Sequence, residues 1–186
     1  LKKIVCLALI TSMILGQKTL KTTKNVTAKE KKDIKIAIDA GHQARGNFAM
    51  EPVGPGSSTR KAKVAGGATG VASHVPEYKL TLAVSKKLQK ELKARGYKVY
   101  MIRTKNNVNI SNKKRAQLAN KSGADIYIRI HADSSNSRAV TGASGLYPSK
   151  ANRYVSKLSA KSKKLSSCLL LSLIHISEPT RRTPIS

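Results

Sequence analysis

The chain has 186 residues, enough for one α/β domain with a real core plus appendages. Its 36 lysines and arginines against 9 acids give a net charge of +27, which draws it to polyanions such as nucleic acid, anionic lipid and phosphate-rich wall polymers. A single phenylalanine and no tryptophan argue against a stacking platform for specific nucleic-acid binding, and two cysteines, at positions 6 and 168, leave no disulfide framework.

In chain order, Lys2 and Lys3 precede an apolar run from Ile4 to Leu15. This pattern predicts a secretory signal over residues 1–17, too short for a permanent membrane span. Residues 18–33 are basic, polar and aperiodic, and are expected to be a linker. A first strand is predicted over Ile34–Asp39, with Ile34, Ile36 and Ile38 on one face, and it leads directly to His42. Residues 43–76 are dense in Gly, Ser and Pro and are expected to form a long loop, a length that is usually functional. Pro76 opens a predicted helix to about Arg95, with Leu80, Val84, Leu88 and Leu92 on its apolar face and Gly96 closing it.

A second strand is expected over Tyr97–Arg103. Ser111 caps a second helix over about 112–122, with Ala116, Leu118 and Ala119 inward and Gly123 at its end. The third strand, Ile126–His131, sets Ile126, Ile128 and Ile130 on one face and Tyr127, Arg129 and His131 on the other. A short strand near Ala143–Tyr147 and a basic helix from about Lys150 to Lys164 follow. Strands alternating with helices predict an α/β fold: an open layered sheet, mostly parallel, with helices on both faces and a ligand site at the carboxyl ends of the strands. The domain is expected to span 34–167. From Cys168 the text CLLLSLIHISEPTRRTPIS drops the lysine-rich style and continues no periodic element, so 168–186 is read as an artefactual tail. His175 and Glu178 then have no evolved role, and the domain is incomplete at its C-terminal side.

Two strands thus end in histidine at one rim, His42 and His131. Each alone is explained by an ordinary hydrogen-bonded rim histidine; two at equivalent positions point to a site. Glu77 sits in the first turn of the helix, three residues before Leu80 and seven before Val84, and so faces the sheet. A carboxylate there costs free energy unless it is paired or bound to a cation, although the helix dipole would also welcome it. Two imidazoles and one carboxylate are the ligand set of a catalytic zinc site, with the fourth position open to water or substrate.

The segments IAIDAGHQ, PEYKLTLAVSKKLQKELKARGYKVYMIRT, NKKRAQLANKSGADIYIRIHAD and GASGLYP resemble, in that order, the zinc-dependent N-acetylmuramoyl-L-alanine amidases of the amidase-3 type. The glycine-rich insertion GNFAMEPVGPGSSTRKAKVAGGATGV is similar to a loop that clostridial-type members carry between their first two ligands. The resemblance implies one zinc held by His42, Glu77 and His131, and hydrolysis in peptidoglycan of the amide joining N-acetylmuramic acid to L-alanine. Zinc would lower the pKa of its water and polarise the scissile carbonyl. It also implies a structural role for Arg115, with substrate contact as a second role, and a general-base glutamate on a later strand that is absent here. Asp39 and Asp133 have two open roles, accepting the second ring N–H of a ligand histidine or capping turns. His74 is expected to be an exposed loop residue rather than a fourth ligand.

The partners expected are therefore peptidoglycan and, through the basic surface, anionic wall polymers, with a secreted, wall-associated location. A zinc-retaining wall-binding module without turnover is the alternative, and a general polyanion binder is a third reading that rests on charge alone.

Overall fold

The computed structural model describes residues 31–135, 137 and 142–177, with residues 31 and 173–177 described by backbone alone. The expected signal, linker residues 18–30 and the stretch 178–186 lie outside the described residues. The described residues fall into two compact units that divide between 141 and 142.

The first unit is built on β1 (Lys35–Ala40). Ile36, Ala37, Ile38 and Ala40 are each 2% exposed or less, so β1 is closed on both faces, as the central strand of a parallel sheet must be. β4 (Lys98–Met101) and β5 (Ile126–Ile130) flank it, and both pairings are parallel, in the order β4-β1-β5. Ile36 stands opposite Val99 on one side and Ile126 on the other. The two crossovers carry α1 (Glu77–Ala94) and α2 (Asn112–Lys121). Ala119 and Leu118 of α2 pack with Ala37, Ile102 and Ala124 on one face of the sheet. α1 lies against all three strands. The α/β class and the parallel sheet are as the sequence predicts.

Both helices start and stop where their chemistry dictates. Pro76 precedes the first turn of α1 in an extended conformation. At the other end Gly96 adopts φ +88°, and the Gly96 and Tyr97 amides return to the Lys93 and Leu92 carbonyls. Ser111 Oγ accepts from the Lys114 amide at the start of α2.

The buried stripes differ from the expected ones. On α1 the stripe runs through Glu77, Thr81, Ser85, Leu88 and Leu92, while Leu80 and Val84 are only half-buried. The rim end of α1 covers backbone rather than side chains: Thr81 Oγ1 donates to the Gly41 carbonyl at 2.8 Å, so polar residues belong there. On α2 the inward residues are Arg115 and Ala119, and Ala116 is exposed, because Arg115 turns in to meet Asp39.

The segment expected to be a loop contains an antiparallel hairpin, β2 (Asn47–Pro52) and β3 (Arg60–Val64). Its pattern hides it, since Phe48 and Met50 are exposed and no strand outside the hairpin pairs with it among the described residues. The Val53 amide closes the turn on the Thr59 carbonyl, and Arg60 reaches the Met50 carbonyl. Buried Glu51 docks the hairpin by accepting from the Lys113 amide at 2.9 Å, at the positive end of α2.

The second unit consists of coil, a 3-10 turn at Ser156–Leu158 and α3 (Ser159–Ser177). The expected strand over 143–147 is not formed; Gly142 (φ +108°) precedes it and no described strand pairs with it. The helix expected from Lys150 begins at Ser159, because Asn152 Oδ1 accepts from the Tyr154 and Val155 amides and holds a turn there. α3 then runs through Cys168 to Ser177, across residues where no periodic element was expected. Leucines in that run are strong helix formers. None of the described helices is long and apolar enough to cross a membrane.

Leu92, 1% exposed, and half-buried Leu80 separate the observed stripe from the expected one. Leu92→Ala is expected to cost about 2–5 kcal/mol and Leu80→Ala clearly less, read from urea unfolding of the two variants.

Candidate metal centre

The site grows from the place where β1 stops. Gly41 still belongs to the ladder, its amide donating to the Ile130 carbonyl at 2.8 Å. The next residue, His42, takes φ +58°, a left-handed conformation, uncommon outside glycine, that its surroundings hold in place. Two buried guanidinium groups do so. Arg103 Nε and Nη2 donate to the Ala40 and Gly41 carbonyls, at 2.9 and 3.0 Å. Arg115 Nη1 and Nη2 donate to the Ala40 and His42 carbonyls, both at 2.9 Å. Three successive carbonyls at the strand end are thereby fixed, and with them the direction of the His42 ring.

That ring is oriented from its far side. His42 Nδ1 donates to the Ala65 carbonyl at 2.8 Å, which leaves Nε2 aimed at Glu77 Oε2, 3.2 Å away. His131, one residue beyond β5, brings its Nδ1 to 3.0 Å from Glu77 Oε1. The two imidazoles meet edge to face with centroids 4.7 Å apart. The ligand atoms of His42, Glu77 and His131 all lie within 4.8 Å of one another. So the structure brings together all three residues that the sequence marks as a donor set.

Glu77 is 6% exposed. Burial opposes its ionisation, but hydrogen bonds from His131 and His42 and from the Ala132 and Ala68 amides outweigh this and hold its carboxyl well below the usual carboxylate range. The Glu77 hydrogen bond raises the pKa of His42, burial opposes that rise, and the Ala65 carbonyl supports it. With Nδ1 donating to Ala65, neutral His42 would point a lone pair at a carboxylate oxygen. The gap needs a proton or a cation, and a divalent ion held by two imidazoles and one carboxylate meets that need. The donor set therefore fits a metal. Access is from the His131 side, where the ring is 32% exposed against 15% for His42.

Two glycines close the cradle. A Cβ on Gly41 would come within 2.7 Å of the His131 ring; one on Gly67 would meet the His42 ring at 2.9 Å and Glu77 Oε2 at 3.0 Å. Gly67 also has φ +84°. The Ala68 amide beside it donates to Glu77 Oε2 at 2.9 Å. Neither glycine nor Arg103 is singled out by the sequence reading. A glycine count carries no information on what presses against it, although the position of Gly41 between a strand and a histidine was a usable signal.

The remaining candidates separate clearly. Asp39 is fully buried but touches neither histidine: its Oδ1 accepts from Arg115 Nη1 at 2.5 Å and its Oδ2 from the Tyr127 hydroxyl at 2.7 Å. Both roles expected for it, partner of a ring N–H and turn cap, give way to this pairing. Burial and then Asp39 itself push the Tyr127 phenol up. Asp133 is exposed on the loop after β5 and has no hydrogen bond to either ring among the described residues. Arg115 is 0% exposed, so it offers no surface for the substrate contact expected as its second role. His74 is exposed, with φ +53°, and is not part of the cluster. The side chain of His175 and all of Glu178 lie outside the described residues.

A parallel α/β sheet with two histidines and a glutamate at its carboxyl rim defines a domain with a candidate metal centre. The match to known families is specific: residues 36–176 fit the family described as N-acetylmuramoyl-L-alanine amidase (Amidase_3), and the chain belongs to that family. No curated protein sequence matches it. Among solved structures the fold is similar to the N-acetylmuramyl-L-alanine amidase Ami1 of Mycobacterium smegmatis, with TM-score 0.52 and 22% identity over 57% of this chain and 50% of that one. It is also similar to the apo form of Ami1 from Mycobacterium abscessus, with TM-score 0.50 and 23% identity over 60% and 50% of the respective chains. The chain thus spans about half the length of the solved amidases it matches.

Gly67→Ala is expected to weaken metal binding about 10–100-fold with the far-ultraviolet circular dichroism unchanged, measured by titration of the chelated chain with zinc. The linked charges also predict a pH signature in the chelated protein. Glu77, with its lowered pKa, contributes stability that is present above about 4.5, its ordinary value, and is lost as pH falls through the folded one. His42, with its raised pKa, contributes stability that is full below 6.5 and is lost as pH rises through the folded value. The stability gap between the chelated wild type and Glu77→Gln should therefore be widest between about pH 4.5 and 6.5, as read from thermal melts.

Proposed function

We propose that this chain is the zinc-binding part of a secreted peptidoglycan amidase that acts on the amide between N-acetylmuramic acid and L-alanine. The observation that carries the reading is the convergence of His42, Glu77 and His131 at the sheet rim in a chain of the N-acetylmuramoyl-L-alanine amidase family. When bound, zinc would supply a nucleophile active near neutral pH and polarise the scissile carbonyl.

The chain's own residues supply position. Glu77 is held in place by the Ala68 and Ala132 amides, which donate to its two carboxylate oxygens. His42 presents Nε2 because Nδ1 is committed to Ala65. Arg115 supports the rim from beneath, and the more exposed His131 side is where a polymer would approach. Export to the wall rests on residues 1–17, and the basic surface would hold the protein near anionic wall polymers, with exposed charges screened at physiological salt.

Hydrolysis also needs a group that takes a proton from water and returns it to the leaving amine. The described carboxylates do not offer an obvious one. Asp39 is committed to Arg115, Glu51 to the Lys113 amide, Asp125 to the Lys35 amide, Asp33 to Lys98 and Glu91 to Arg95. Asp133 is exposed on the loop after His131. The second reading is a zinc-retaining wall-binding module without turnover. A missing acid–base costs about 10²–10⁴-fold in rate.

Purified walls incubated with the 186-residue chain, assayed for new L-alanine amino termini, distinguish the two readings. One zinc per chain is expected in the wild type and none in His131→Ala, with release of L-alanine ends far below that of a full-length amidase and abolished by chelator. Equal zinc in both proteins would remove the ligand assignment, and family-like turnover would remove the second reading.

A further inference from the structure

Beside the metal centre, on the other side of Gln43, an open cleft of about 500 Å³ lies between the start of the hairpin and the segment before α2. That volume suits a small ligand or a few units of a polymer. Its chemistry differs from the rest of the surface. In a chain with 36 basic residues it is lined by the amide residues Gln43, Asn47, Asn107 and Asn109, with Gly46, Phe48, Val108 and a single cation, Arg45. Phe48, the only phenylalanine in the sequence, is 71% exposed.

The amides are arranged for use. Asn47 is tied down, donating to Asn109 Oδ1 at 3.0 Å and accepting from the Ala49 amide. This fixes Asn109 by its oxygen. Among the described residues, the Asn109 amide nitrogen and the whole Asn107 side chain have no partner. The Phe48 ring is set over Gly46, where an added Cβ would lie 3.0 Å from the ring, and Gly46 in turn packs on the Gly66 backbone. Gly66 stands between Ala65, which orients His42, and Gly67, which presses on it. The cleft and the metal centre are thus joined through one short piece of backbone.

We infer that this cleft is a saccharide subsite that takes an N-acetylated hexosamine of the glycan strand. A side-chain amide can both donate to and accept from an acetamido group or a hydroxyl. An exposed aromatic ring offers an apolar face to the C–H face of a sugar ring. A nucleic-acid strand would require several cations along its phosphates, and the cleft has one. The inference rests on the peptidoglycan reading for the identity of the polymer.

The test is binding rather than turnover, with the full chain. A tetrasaccharide of β-1,4-linked N-acetylglucosamine and a free stem tetrapeptide beginning with L-alanine are each titrated calorimetrically, with and without chelator. The tetrasaccharide should bind equally in both conditions, and Phe48→Ala should weaken it about tenfold, the scale of one aromatic contact. Asn107→Ala should weaken it less. Zinc content of Phe48→Ala should match the wild type, which shows that the exposed ring is not needed for folding. Equal affinity of wild type and Phe48→Ala for the tetrasaccharide would overturn the subsite. So would Phe48-dependent binding of the peptide alone, which would make the cleft a peptide site anchored on Arg45. Sugar binding through Phe48 in a chain that leaves walls uncut would keep the cleft and count only against hydrolysis.

Discussion

The ion pair between Arg115 and Asp39 is the constraint around which the site is organised. Both side chains are 0% exposed, and bringing two charges out of water is costly unless every remaining donor and acceptor is matched. Here they are matched by the residues that the site needs to hold still. Arg115 gives its other protons to the Ala40, His42 and Ile110 carbonyls and to Gln43 Oε1. Asp39 accepts at its second oxygen from the Tyr127 hydroxyl. Arg103 works alongside, with burial lowering its pKa to about 10, so it still carries its charge at neutral pH. Its proximity to Arg115 is repulsive and Asp39 is attractive to both, so one carboxylate steadies two cations that together grip the end of β1. The unusual backbone of His42 is the visible product of that grip.

The same logic explains why one segment of chain does two jobs. Residues 43–76 leave the first histidine and return as the carboxylate. Because both of their ends are pinned at the rim, what lies between has to fold back on itself. It does so as a hairpin that carries exposed Phe48, and the segment just after it closes on His42 through Ala65 and Gly67. Glu51 anchors the outer end to α2, so the hairpin is not free to swing as a flap about the rim.

Much of this was legible in the sequence because it follows from period and position. The alternation in Ile34–Asp39 and Ile126–His131 places both histidines at strand ends, and the offset of Glu77 from Leu80 turns it inward. Gly96 and Gly123 mark helix ends for the same local reason. Other features depend on partners far away in the chain. Nothing local to Asp39 distinguishes a residue that serves histidine from one that serves Arg115 and Tyr127. The hairpin exposes Phe48 and Met50 and buries Glu51, the reverse of what a half-buried strand would do with them. Gly67 matters for what its missing side chain would strike. α3 starts later than its lysine-rich lead-in suggests because the bonds of Asn152 to the next turn outweigh the helical propensity of the residues around it.

The register of the sheet has a kinetic consequence. β1 is central, yet its partner β5 begins some 90 residues later, as the contact between the Lys35 amide and Asp125 shows. Contacts so distant in sequence are slow to form, since chain entropy must be surrendered before the contact repays it. During synthesis His42 and Glu77 emerge and can pair while the strand bearing His131 has yet to be made. A half-built centre has two donors, the His42 imidazole and the Glu77 carboxylate, but no third ligand, so it would hold a divalent ion only loosely. Capture of an ion at this centre would therefore coincide with the docking of β5 on β1.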